Sequence, residues 1–151
     1  MKKLFGTVTA KKICILGFAF KANTNDTRES STINICKDLL DEGAFLKIND
    51  PKVDKYQISK DLNIPAVNKD KNIYDNPHEG EWSFEDDIEK AIEDTDAVVV
   101  LTEWEEYGNI NWRKVSKTMR KPAWVFDARS IINAEEVHSS NLNIWRIGVG
   151  N

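Results

Sequence analysis

The chain has 151 residues, 40% of them hydrophobic, and a formal charge of −4, enough for one domain with a substantial core. That acidic balance, with a pI near 5.3, argues against nucleic acid or an acidic membrane surface as partner, because phosphate neutralisation needs a basic face. No apolar run reaches the ~20 residues a bilayer demands, and nothing reads as a signal peptide.

Residues 1–10, with Leu4 and Phe5 ahead of Gly6-Thr7-Val8-Thr9, read as the end of an earlier helix or linker, and the domain proper as 11–151. The run Ile13-Cys14-Ile15-Leu16 is too short for a helix and is stopped by Gly17, which predicts a buried parallel strand. A polar loop follows, with Lys21 near its start and Arg28 near its end. Thr27 or Ser30 suits the N-cap of the next helix, and Ile33, Cys36, Leu39 and Leu40 form its apolar stripe as far as Gly43. Residues 44–49 predict a second strand, ended by Asp50-Pro51. The stretch 52–82 reads as a surface insertion on the sheet's edge, with a short helix at 55–62.

Ser83 is the expected N-cap of a helix whose stripe is Phe84, Ile88, Ala91 and Ile92. Residues 97–101 are the clearest buried strand, leading to Thr102-Glu103-Trp104. Asn109 or Asn111 can cap a short helix over 112–119. A strand at 123–126 then runs into Asp127-Ala128-Arg129, a helical turn occupies 134–139, and a strand at 143–149 closes the pattern. This alternation predicts an α/β fold, a three-layer, doubly wound, mostly parallel sheet. It is Rossmann-like but lacks the G-x-G-x-x-G fingerprint, since only Gly17 is present.

Parallel strands deliver their exit loops to one rim, and Lys21, Arg28 and Arg129 belong to it. A guanidinium grips a phosphate through two hydrogen bonds and an ammonium acts as a point charge, so a diphosphate is the best-matched ligand. The competing reading pairs Asp26 with Arg28 and Asp127 with Arg129 internally. Asp50 is placed either to hold a ribose hydroxyl or simply to end a strand, and Trp104 either to cover a ligand or to pack. Cys14 and Cys36 fall on core positions and read as buried thiols, suited to a reducing cytoplasm. His78 and His138 have no ligand-spaced partners, and neither a metal cluster nor a nucleophile set is visible, so no catalytic residue is assigned. By itself the chain reads as a binding module.

Gly17-Phe18-Ala19-Phe20-Lys21, followed by Asp26-Thr27-Arg28-Glu29-Ser30, resembles the opening signature of the C-terminal domain of UDP-glucose/GDP-mannose dehydrogenases. Asp41-Glu42-Gly43-Ala44, Asp50-Pro51-Lys52-Val53, Thr102-Glu103-Trp104 and the segment from Lys121-Pro122-Ala123 to Arg129 follow in family order, closest to the animal-type members. The resemblance implies that Phe20, Lys21 and Arg129 contact the nucleotide-sugar. It also implies that Arg28 reaches toward NAD held mainly by an N-terminal domain. The implied activity is NAD-dependent oxidation of UDP-glucose to UDP-glucuronate with two NAD+, on a catalytic cysteine that neither Cys14 nor Cys36 matches. Implied partners are the N-terminal and central domains and further copies in a homo-oligomer. Alternatives are the same domain of a GDP-mannose or UDP-N-acetylmannosamine dehydrogenase, or a stand-alone nucleotide-binding module. One departure is Ser130, where animal-type members carry a second basic residue.

Overall fold

A computed structural model describes residues 8–19, 27, 31–66 and 80–146. Strand β1 (Lys12–Leu16) is apolar on both faces, and its residues 13–16 are buried. Helix α1 (Ser31–Asp41) turns Thr32, Cys36, Leu39 and Leu40 inward. It stops where Gly43 takes a φ of +88° and donates its N–H to the Leu40 carbonyl, the left-handed ending that glycine permits. Strand β2 (Phe45–Asn49) follows, then helix α2 (Lys55–Leu62), whose N-cap Asp54 accepts from the Gln57 N–H at 2.9 Å.

Two expectations for the next stretch need correction. Residues 52–82 are not purely an insertion, because strand β3 (Glu81–Phe84) begins there and pairs in parallel with β2. Trp82 decides this: its ring is fully buried and its Nε1 donates to the Ile64 carbonyl at 2.8 Å. Ser83 therefore lies in the strand, opposite Lys47, and caps no helix. Helix α3 (Ile88–Ile92) starts later, on Asp87, which accepts from the Lys90 N–H at 3.1 Å. Three acids in a row precede that helix, and the cap went to the last of them.

The remaining elements are strand β4 (Ala97–Val100), a 3-10 turn at Glu105–Asn109, helix α4 (Trp112–Val115) capped by Asn111, and strand β5 (Trp124–Asp127). Helix α5 (Ala134–Ser139), capped by Asn133, leads to strand β6 (Asn143–Arg146). The six strands form one sheet in the order β3-β2-β1-β4-β5-β6, and every adjacent pair is parallel. Residues 13–16 and 97–100 are buried without alternation, so both faces of the sheet's centre are covered. Helix α3 packs on β1 and β2, α1 on β2 and α2, and α5 on β6 and α4. Chain order reverses between β1 and β4, which makes their carboxyl ends the switch point of the sheet, where such folds take ligands. No helix of the described residues is long and apolar enough to cross a membrane.

Candidate functional site at the switch point

The exit of β1 is built by close approach. Gly17 has a φ of +99°, and a Cβ there would overlap the Thr102 side chain from the end of β4. Its N–H donates to the Asn49 carbonyl at 2.8 Å, while Thr102 Oγ1 donates to the Ala19 carbonyl at 2.9 Å. Phe18 and Ala19 are consequently buried between their neighbours.

At the end of β2, Asp50 turns inward. Its Oδ2 accepts from the Phe18 N–H at 2.8 Å, the Ala19 N–H at 3.0 Å and Trp104 Nε1 at 3.2 Å. Its Oδ1 accepts from the backbone of Lys52 and Val53, at 2.8 and 2.9 Å. Of its two readings, the strand-ending one fits, since both carboxylate oxygens are taken by donors of the chain itself. Trp104 is buried at 4% exposure and packs, as the second of its readings had it. Beside it, Asn49 donates through Nδ2 to the Glu85 and Asp86 carbonyls at 2.7 and 3.0 Å. Its Oδ1 accepts the Tyr107 hydroxyl at 2.8 Å. Burial first, and the Asp50 charge second, push that phenol well above its ordinary range, so it stays a neutral donor. Nothing in the sequence around Asn49 or Tyr107 pointed to this pairing, which joins residues 58 positions apart.

Strand β5 ends on Asp127, whose Oδ1 accepts the Arg129 N–H at 3.0 Å and whose Oδ2 accepts the Ile132 N–H at 2.8 Å. Ser130 completes the turn with a φ of +58°. Asp127 thus holds the backbone of Arg129. The guanidinium crosses to β4, where Nε donates to the Leu101 carbonyl at 2.9 Å and lies 3.4 Å from Glu103 Oε2. The Arg129 side chain, 38% exposed, stands at the rim one strand from β1. Phe20, Lys21, Arg28 and Asp26 lie outside the described residues, as do residues 1–7, His78 and the 147–149 end of the closing strand.

An all-parallel, doubly wound sheet with a polar rim at its switch point defines a Rossmann-like α/β domain. The family model described as the UDP binding domain of the UDP-glucose/GDP-mannose dehydrogenase family matches residues 14–134, and the chain belongs to that family. A UDP-glucose 6-dehydrogenase of Drosophila melanogaster is 39% identical over 98% of this chain, and one of Bos taurus 44% identical over 96%. Those matches cover 30% and 29% of the two relatives, so the chain spans under a third of their length. Among solved structures, an NDP-N-acetyl-D-galactosaminuronic acid dehydrogenase from Methanosarcina mazei shares the fold at a TM-score of 0.74. It is 22% identical, over 97% of this chain and 26% of its own.

Proposed function

We propose that this chain is the nucleotide-sugar-binding part of a UDP-glucose 6-dehydrogenase, with 11–151 as its C-terminal UDP-binding domain and 1–10 leading in from a preceding helix or linker. The complete enzyme oxidises the C6 alcohol of UDP-glucose to the carboxylate of UDP-glucuronate and reduces two NAD+. It works in the cytoplasm as a homo-oligomer, with its N-terminal and central domains completing the cleft. In this reading Phe20, Lys21 and Arg129 hold the substrate, Lys21 and Arg129 neutralising its diphosphate, and Arg28 reaches toward NAD held chiefly by the N-terminal domain. The nucleophilic cysteine comes from the rest of the protein. Cys14 and Cys36 are fully buried, and burial pushes both thiols up, away from the thiolate a nucleophile needs.

The observation that carries this reading is the Arg129 guanidinium, seated on the Leu101 carbonyl at the carboxyl rim next to the switch point. An arginine fixed through Nε is already oriented for charge-assisted bonding to a phosphate. In the complete dehydrogenase, Arg129→Ala is expected to raise KM for UDP-glucose roughly tenfold or more, the ratio one lost charge-assisted hydrogen bond carries. An unchanged KM would remove Arg129 from the site. Titration of the complete dehydrogenase with UDP and GDP, read by calorimetry, tests the base preference.

A further inference from the structure

The second strand of a doubly wound sheet commonly ends on an acid that faces outward, to a ribose hydroxyl. Asp50 holds that position and faces inward, 4% exposed, with Phe18, Ala19 and Trp104 on Oδ2 and Lys52 and Val53 on Oδ1. A carboxylate offers about four lone-pair sites. These donors therefore saturate it, and no acceptor is left for a ribose.

The same contacts act on the loop. In glycine-rich nucleotide folds, the amides at the exit of the first strand point at a phosphate. Here the Phe18 and Ala19 amides point at an internal anion instead. The opposite side of that peptide run is held as well, since Thr102 Oγ1 donates to the Ala19 carbonyl. The exits of three strands, β1, β2 and β4, thus meet on one buried carboxylate.

We infer that Asp50 is a positioning residue of the nucleotide site: an internal anion that fixes the β1 exit loop and leaves phosphate recognition to side chains on the rim. The inference rests on the nucleotide-binding reading above. Asp50 itself touches no ligand. It sets the course of the backbone at Phe18 and Ala19, where the chain leaves β1.

Two measurements test the role: amide hydrogen exchange at Phe18 and Ala19 in this chain, and UDP affinity of the complete dehydrogenase by calorimetry. Asp50→Asn turns an N–H₂ group toward donors that need an acceptor. Exchange at both amides is expected to rise roughly tenfold or more, as for any opened charge-assisted bond, with Val125 in β5 unchanged. UDP affinity is expected to fall roughly tenfold or more. Asp96→Asn is the control, a buried acid at the opposite rim that accepts the Lys12 N–H at 2.8 Å. It is expected to lower the thermal midpoint and to leave both readouts unmoved.

If Asp50→Asn does not fold, Asp50→Glu takes its place, keeping the charge while displacing it by one methylene. Unchanged exchange at Phe18 and Ala19 in the folded variant would overturn the inference. So would a UDP affinity equal to that of the control. A complete wild-type dehydrogenase that binds no UDP overturns the nucleotide reading and the positioning role with it, and the exchange arm then reports separately whether Asp50 holds the Phe18 and Ala19 amides.

Discussion

Gly17 and Thr102 show how little room the β1 exit leaves. Any side chain at Gly17 meets two penalties together, a φ of +99° and overlap with Thr102. Strained backbone and overpacking each cost about 1–3 kcal/mol. Gly17→Ala is therefore expected to destabilise the chain by roughly 2–4 kcal/mol in urea unfolding, and a loss near zero would contradict the close approach. The two cysteines permit a simpler test. Cys14 and Cys36 are fully buried and their thiols are pushed up by burial, so the thiolate is scarce at pH 8. Neither thiol is expected to react with a disulfide reagent in the native state, and both should react once denaturant is added. A thiol that reacts rapidly before unfolding would show that one of these positions is open.

Among the elements, α3 depends most on its surroundings. Its five residues, Ile88–Ile92, are far too few to be helical alone. Asp87 caps its start, and Lys47 reaches up from β2 to the Lys90 and Glu93 carbonyls at 3.2 and 2.8 Å, supplying a cation at the helix's negative end. Lys47→Met keeps the aliphatic stem and removes that charge. A loss of about 1 kcal/mol is expected, with faster exchange at the Ala91 amide, which bonds to the Asp87 carbonyl. An unaltered Ala91 rate would mean that the cap alone holds the helix.

This helix also marks where the sequence stopped being readable. Apolar runs such as Ile13–Leu16 and Ala97–Val100 announce themselves, because these two central strands are buried on both faces and hold only apolar residues there. Helix α5 falls on the helical turn expected at 134–139, while its cap Asn133 emerges only in the structure. Strand β3 is not legible, since an edge strand of Glu-Trp-Ser-Phe has only two apolar residues, and what fixes Trp82 is the distant Ile64 carbonyl. At the rim the same limit applies. Arg129 was legible as a cation after a strand, but whether Asp50 faces in or out depends on donors from β1 and β4, which no local pattern encodes.

Over the whole molecule, parallel strands separate two rims, and the charges at each have different work. The carboxyl rim holds Arg129, Asp50 and Asp127 around the switch point. At the amino rim, Asp96 accepts the Lys12 N–H and lies 3.4 Å from Arg120 Nε, while Lys12 Nζ sits 2.6 Å from Asp94. The Lys12 hydrogen bond, chiefly, holds the Asp94 carboxyl below its usual range. A carboxyl depressed in the folded state stabilises above its unfolded value, and that contribution is lost as pH falls through the folded one. Asp94→Asn should therefore reduce stability at neutral pH and leave it unchanged at the acid end, by a small amount because the Asp94 carboxyl is largely exposed. Ligand linkage then tells the rims apart. A nucleotide at 100 times its Kd adds about 2.7 kcal/mol to a protein that binds it only when folded. With UDP, Asp96→Asn and Asp94→Asn should start from lower midpoints and gain the same increment as wild type. Arg129→Ala should start near the wild-type midpoint and gain much less at the same concentration. If the amino-rim variants lost the increment too, the two ends of the sheet would be coupled through β1, and the switch point would no longer account for binding by itself.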